Sequence, residues 1–191
     1  MQSVFALPRA APHPETLGNI HMRMIIVGNS GSGKTWLANS LAKVDGCQVI
    51  HLDHIFWEPG GFDKKRSPEV VTKMMDESKN GASWIAEGVF GELAEEFIVR
   101  AQYFVWLDID WPICRERLLK RGSESKRHMG REESAEGIRE LIEWASRYYE
   151  RKNSRSYEGH KKLLNNFHGE KIYINSEADA IKMVEKAQQI V

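Results

Sequence analysis

A three-layer α/β sandwich around a parallel sheet is the fold class this sequence predicts, and three observations predict it. From residue 24 onward, short apolar stretches of strand length alternate with longer segments whose apolar residues recur at helical spacing. The stretch Gly28-Asn29-Ser30-Gly31-Ser32-Gly33-Lys34-Thr35 fits G-x-x-x-x-G-K-[ST] without a mismatch, at the junction of the first strand and first helix. Three of the strands end on an acid, Asp53, Glu87 or Asp108. Parallel strands joined by right-handed crossovers bind ligands outside their carboxyl ends, so these acids converge on the glycine-rich loop.

Residues 1–21 are punctuated by Pro8, Pro12 and Pro14 and show little periodicity, which reads as an extension or leader outside the fold. The single domain then runs over 22–191. Met24-Ile25-Ile26-Val27 is the first strand, and Trp36 to Lys43 carry the helical pattern that follows the loop. Gln48-Val49-Ile50-His51-Leu52 predicts a second strand ending at Asp53, and Ser83-Trp84-Ile85-Ala86 a third ending at Glu87-Gly88. Gln102 to Leu107 predicts a fourth ending at Asp108, and Lys171-Ile172-Tyr173-Ile174 a fifth ending at Asn175-Ser176. Helical patterns fill the intervals at about 68–80, 89–100, 111–121, 133–165 and 176–190.

Composition narrows the function classes. A chain of 191 residues with 41% apolar content can bury one good core. Its 27 basic residues balance 27 acids, so no global field draws it to nucleic acid or anionic lipid. Two cysteines, Cys47 and Cys114, are too few for a disulfide framework, and a reducing cytoplasm suits them. No apolar run has the length of a membrane span.

The loop carries the chemistry. Its glycines let successive backbone N–H groups turn inward on phosphates, and the new helix adds its positive dipole end. Lys34 is placed to reach the β- and γ-phosphates of ATP, with the Thr35 hydroxyl as a ligand to Mg²⁺. Of the acids, Glu87 is favoured for the metal because the following Gly88 permits close approach of the backbone. Asp108 is a second metal candidate. In Asp108-Ile109-Asp110-Trp111-Pro112 it also reads as a helix cap. Asp53, in His51-Leu52-Asp53-His54, reads either as a cap or as a base.

Phosphoryl transfer spreads negative charge over the transferred group, so cations that close over it supply much of the rate. Seven Lys or Arg residues lie between Arg115 and Arg131, and Gly122 and Gly130 bracket the irregular part. That composition predicts a lid that hinges and delivers charge. Arg117 and Arg121, at i, i+4 spacing, share one helix face, and Arg127 and Arg131 are weaker candidates for phosphate contact. A solvated helix face followed by a polar loop is the plain alternative.

From Met24 to its end the chain resembles the adenylate-kinase-like family of small P-loop kinases, and within it the branch of DNA topology modulation proteins. The resemblance lies in the loop, His51-Leu52-Asp53-His54-Ile55-Phe56-Trp57, Trp84-Ile85-Ala86-Glu87-Gly88, Val105-Trp106-Leu107-Asp108 and Arg117-Leu118-Leu119-Lys120-Arg121. It implies a sheet in the order 2-3-1-4-5, a mobile acceptor-binding segment near 54–80 and a small lid near 122–132. It also implies a grip on the donor nucleotide by Arg117 and Arg121.

The chain departs from nucleoside-monophosphate kinases at the acceptor side. Glu87-Gly88-Val89-Phe90-Gly91-Glu92-Leu93 lacks the arginine that binds the acceptor phosphate there, and the Thr-Gly-Asp segment after strand two is missing. AMP would lack its partner unless Arg66 or Arg100 substitutes. A hydroxyl acceptor suits the acids better, because an alcohol loses a proton as it attacks. Asp53 is placed like the base of small hydroxyl kinases of related fold, with Phe56, Trp57 and Phe62 as an apolar wall and Gly60-Gly61 as a hinge.

Two functional classes follow. One is a kinase transferring the ATP γ-phosphoryl group to a small molecule. The other is a nucleotide-dependent regulatory or DNA-associated protein. Arg147, Arg151, Lys152, Arg155, Lys161 and Lys162, interleaved with Tyr148, Tyr149 and Tyr157, would supply its basic aromatic surface. Seven glutamates between Glu132 and Glu158 make a salt-bridged face the competing reading of that region.

Overall fold

Residues 22–59, 64–121 and 135–190 are described by the computed structural model. The leader, the lid over 122–132, Phe62 and the Gly60-Gly61 hinge lie outside the described residues.

A five-stranded sheet in the order β2-β3-β1-β4-β5 organises the chain. Its strands are β1 (Arg23–Gly28), β2 (Gln48–His51), β3 (Trp84–Gly88), β4 (Tyr103–Leu107) and β5 (Glu170–Ile174), and each pairing is parallel. In the central register Ile26 lies beside Glu87 on one side and Val105 on the other. A parallel sheet covered on both faces needs apolar residues at successive positions, and Met24 to Val27 are all buried.

Successive side chains point to opposite faces, so β1 feeds two cores. Ile25 and Val27 join Trp84, Phe104 and Trp106 on one face, under α4 (Gly91–Ile98) and α7 (Tyr157–Asn166). Met24 and Ile26 join Ile85, Val105 and Leu107 on the other, under α1 (Lys34–Asp45) and α8 (Glu177–Ile190). Leu37 and Leu41 of α1, spaced i, i+4, are both buried there. Such a leucine contributes about 1.5–3 kcal/mol when taken fully out of water.

Two segments differ from the sequence expectation. Strand β2 stops at His51, and Leu52–Phe56 turns into a short helix, α2. Leu52 and Ile55, three apart, turn inward and are buried. The room for Leu52 comes from Gly88, where a Cβ would lie 2.8 Å from the Leu52 side chain. Gly88 therefore admits a neighbouring side chain, not a ligand. Helix α3 (Pro68–Lys79) begins at a Ser67 cap that accepts from the Val70 amide.

The helical region expected over 133–165 is broken. It comprises α6 (Ala135–Ser146), a 3-10 turn (Arg147–Tyr149), an irregular link and then α7. Ser156 explains the restart, because its hydroxyl caps α7 by accepting from the Gly159 amide at 3.1 Å. Arg151 explains the stop. Its guanidinium stacks on Trp144 with the carbon 3.8 Å from the ring centroid, and donates to the Trp144 carbonyl at the end of α6. Helix α5 (Trp111–Arg121) carries Pro112 in its first turn, where a missing N–H costs nothing.

A buried hydrogen-bond chain ties the break to the sheet. Trp106 Nε1 donates to Tyr148 Oη at 3.1 Å, that hydroxyl donates to His160 Nδ1 at 2.7 Å, and His160 Nε2 donates to the Val89 carbonyl at 3.0 Å. Each group has one partner per role, which fixes His160 as the neutral Nε2–H tautomer. Burial pushes the His160 pKa down to about 3, against a weaker upward pull from the Val89 bond.

Candidate active site at the carboxyl ends of the strands

The loop between β1 and α1 adopts the expected phosphate cradle. Gly31 and Gly33 sit at φ 82° and 99°, in the left-handed region open to glycine. At Gly31 a Cβ would also lie 2.4 Å from the Cys114 carbonyl oxygen. Lys34 is the first residue of α1, buried, with Nζ donating to the Asn29 carbonyl at 2.8 Å. Asn29 is buried as well. Its Oδ1 accepts from the Ser30 amide and its Nδ2 donates to the Ala145 carbonyl of α6 at 3.0 Å. Ser32 Oγ is buried with no hydrogen-bond partner among the described residues. A loop that keeps a buried hydroxyl unsatisfied suits a ligand rich in acceptor oxygens.

Glu87, at the end of β3, is 2% exposed. Its Oε1 accepts from Thr35 Oγ1 at 3.1 Å and from His51 Nδ1 at 2.6 Å. His51 and Glu87 are register partners across β2 and β3, which sets them side by side. Burial by itself raises the Glu87 pKa. The His51 hydrogen bond and the charge of Lys34 overcome it and hold the carboxyl below its ordinary value. The same hydrogen bond raises the His51 pKa against the opposing effect of burial. A hydroxyl and a carboxylate held together are hard oxygen donors of the kind that suit Mg²⁺. Among the described residues no group of three or more His, Cys, Asp or Glu side chains forms a metal site of its own.

Asp53 lies in the first turn of α2, two residues past the His51 cap, so it is not the capping residue. It is half-buried in the wall of the cavity. Burial and the charge of Glu87 push its pKa up to about 6, against Lys34, His51 and Arg155.

Arg117 of α5 closes the other side. Its Nη1 donates to the Ser32 carbonyl at 3.1 Å and its Nη2 lies 3.1 Å from Glu177 at the start of α8. The side chain of Arg121, with Arg127 and Arg131, lies outside the described residues.

These parts surround one cavity of about 620 Å³, lined by the loop, Asp53, Glu87 and Arg117. That is ample for a nucleotide-sized ligand. Trp36, Trp57 and Trp144 also line it.

Asp108 stands apart from that arrangement. It does not line the cavity, and its two carboxylate oxygens accept from Tyr149 at 3.0 Å and Tyr173 at 2.6 Å. Nor does it cap α5, which begins three residues later and takes its first carbonyl from Asp110. Arg66 and Arg100, the sequence candidates for an acceptor anion, are absent from the lining too. Arg66 Nε donates to the His54 carbonyl at 3.3 Å, and Arg100 donates to the Lys79 carbonyl at 3.0 Å. Phe56, expected in the apolar wall, is absent from the lining and packs instead against the core and against Phe90, at 4.6 Å between centroids; Trp57 and Phe90 line the cavity.

The cavity also holds residues that the motifs did not single out for the acceptor side: His51, Lys65, Phe90, Trp144 and Arg155. Arg155 pairs with Glu92, 63 positions away. Local spacing carries no sign of such a pair; the available signal was the basic content of 147–162.

Comparison with known proteins agrees with this architecture. Residues 24–139 match the family described as AAA domain. No curated protein matches the sequence. A gluconokinase from Sinorhizobium meliloti 1021 is similar in structure at 13% identity and a TM-score of 0.50, covering 88% of this chain and 90% of that one. Shikimate kinase from Acinetobacter baumannii, in complex with shikimate, is similar at 19% identity and a TM-score of 0.50, covering 90% and 93%. A sugar kinase from Janibacter sp. HTCC2649 is similar at 14% identity and a TM-score of 0.50, covering 88% and 93%. With its phosphate loop, strand order and matched span, the chain belongs to the AAA domain family and has the α/β fold of small P-loop kinases.

Proposed function

We propose that this protein is an ATP-dependent kinase that transfers the γ-phosphoryl group to a hydroxyl of a small molecule, with Asp53 as the base. The observation that carries the reading is the placement of Asp53 and the phosphate loop in the wall of one cavity. A carboxylate with its pKa near 6 is ionised at neutral pH yet basic enough to take a proton from an attacking alcohol. An attacking oxygen that is already ionised, such as that of a phosphate group, would have no use for it.

In this reading the loop amides and Lys34 hold the β- and γ-phosphates, so Lys34 exchanges the Asn29 carbonyl for the nucleotide. Arg117, already against the loop, stabilises charge that develops on the transferred group. Thr35 and Glu87 hold Mg²⁺, which when bound neutralises phosphate charge. Asp53 accepts the hydroxyl proton, and His51 keeps Glu87 ionised and oriented. Arg121 and a lid over 122–132 complete the grip on the donor. A reducing, cytoplasmic setting accords with Cys47 and Cys114, both free thiols.

The alternative, a DNA-topology-associated protein of low turnover, draws on the basic residues after α6. Their engagement argues against it: Arg147 pairs with Glu143, and Arg151 is stacked on Trp144. Cations so occupied are poor phosphate-backbone contacts.

The test is ADP release from ATP and Mg²⁺ across nucleoside monophosphates, nucleosides and small hydroxy compounds, with Lys34→Ala as the control. Stimulation by a hydroxy compound is the expected result. ATP binding with no stimulated turnover, together with salt-dependent DNA binding, would transfer the reading to the regulatory class.

A further inference from the structure

We propose that the acceptor is an anionic alcohol, a small molecule bearing a carboxylate or phosphate besides its reactive hydroxyl, whose anionic group is held by Arg155 and Lys65 while the hydroxyl meets Asp53. The inference rests on the kinase reading above and gives its substrate a chemical class.

Arg155 comes from the irregular link before α7 and is fixed on three sides. Its guanidinium carbon lies 4.4 Å from the Phe56 ring centroid and 4.3 Å from that of Phe90. Its Nε donates to Glu92 Oε1 at 2.6 Å, its Nη2 pairs with the same oxygen, and Glu92 is itself held through Oε2 by Ser154 Oγ at 2.7 Å. A planar fork stacked on two rings and anchored along one edge has little rotamer freedom left to lose. Its remaining N–H groups are therefore preorganised for an oxyanion.

Lys65 adds a second cation to the same wall. An isolated antiparallel bridge, Trp57 to Lys65, brings it there, and its ammonium lies 5.7 Å from the centroid of the same Phe56 ring. Among the described residues no carboxylate pairs with it. Arg155 and Lys65 thus bring two cations to a lining whose acids are Asp53, Glu87, Glu140 and Glu177, the last of them paired with Arg117, and Asp53 and Glu87 make the part beside the phosphate loop acidic. Arg155 and Lys65 both line the cavity that Asp53 lines, and the charge of Arg155 acts on the Asp53 carboxyl. A neutral alcohol would use only the acidic part; an anionic alcohol matches both. This wall thus supplies the anion contact that Arg66 and Arg100, engaged elsewhere, do not.

In the transfer, the acceptor oxygen forms a bond to the γ-phosphorus as the bond from that phosphorus to the β,γ-bridging oxygen breaks. The hydroxyl proton passes to Asp53, and ADP departs with the bonding pair.

Calorimetric titration of the protein with Mg²⁺ and ADP tests the proposal, using glycerol, glycerate and glycerol 3-phosphate as probes on one carbon skeleton. At least one anion should bind tenfold or more tightly than glycerol, and the tighter of the two anions assigns carboxylate or phosphate. Arg155→Gln should weaken that binding by about 10–100-fold, the usual worth of a hydrogen bond to a charged group. Arg155→Lys should weaken it less. Lys65→Gln, at an exposed position, should lower it several-fold and carries the test if Arg155→Gln fails to fold. Equal affinity for the three probes, including none for any, overturns the proposal, as does anion binding indifferent to both variants. Anion binding lost in the variants but without stimulated ADP release would sustain the anion site and remove the kinase reading. Turnover with glycerol and no preference for anions would do the reverse.

Discussion

His51 Nδ1 lies 2.6 Å from Glu87 Oε1, the same oxygen that accepts from the Thr35 hydroxyl. A buried carboxylate is costly to keep ionised, and this pair of donors, with Lys34 nearby, is what makes it tolerable. Removing the imidazole in His51→Ala should cost about 1–3 kcal/mol by leaving Glu87 short of a partner. The His51 pKa is raised in the folded state, so the stability it contributes is full below the unfolded value of 6.5 and is lost as pH rises through the folded value. Urea denaturation of wild type and His51→Ala should therefore show a larger gap at pH 6 than at pH 9.

Asp53 is expected to trade stability for reactivity. Asp53→Asn should lower kcat for the true acceptor by roughly 10²–10⁴ with ATP affinity little changed. The wild-type rate should rise through about pH 6, where Asp53 ionises. Its folded pKa lies above the unfolded one, so the relative stability is present below 3.8 and is lost as pH rises through about 6. Thermal denaturation of Asp53→Asn should accordingly give a higher Tm than wild type at pH 8, with the difference shrinking as pH falls below 6. A lower Tm at pH 8 would contradict the electrostatic cost assigned to this carboxylate.

Glu87 and Asp108 should separate cleanly. Glu87→Gln should raise the Mg²⁺ concentration needed for ATP turnover by about tenfold or more, as for loss of a metal-site carboxylate. Asp108→Asn should leave that requirement where it is, because its oxygens are committed to Tyr149 and Tyr173. Its cost, about 0.5–1.5 kcal/mol, should appear in denaturation alone.

The chain through Trp106, Tyr148 and His160 predicts an acid sensitivity. His160 has a folded pKa of about 3 against 6.5 unfolded, so its contribution is present above 6.5 and is lost as pH falls toward 3. The wild type should lose up to about 1.4 kcal/mol per pH unit from this group across that window. His160→Gln, which cannot take up the proton, should flatten the acid limb of the stability profile measured by urea titration, at the cost of lower stability at pH 7.

Strands β1, β3, β4 and β5, the loop and α1 were legible because their signals are local: apolar runs of strand length, a fixed motif and helical spacing. The strand order followed from resemblance and not from any one stretch. Helix α2 was not legible, since Leu52 also continues the apolar run of β2, and only its fit over Gly88 decides for the helix. The break within 135–166 depends on Ser156 and Arg151 acting on backbone groups, against a background of helix-compatible residues. Glu87 and Asp53 could be placed at the site by their strand-end positions. Asp108 had the same signature and was drawn off by two tyrosines from distant segments. Arg155 was the converse case, a residue with no local mark brought in by tertiary contact.

The distribution of tryptophan gives the molecule its own optical reporters. Trp84 and Trp106 are sealed in one core and Trp111 packs half-buried against the other, while Trp36, Trp57 and Trp144 border the cavity. Trp36 follows Thr35 of the phosphate loop, and Trp57 and Trp144 stand with the acceptor-side residues. Intrinsic emission therefore contains a constant background from the three tryptophans away from the cavity and a variable part from the cavity rim. Single Trp→Phe replacements at the three rim positions would resolve donor filling from acceptor filling by fluorescence, with no label attached.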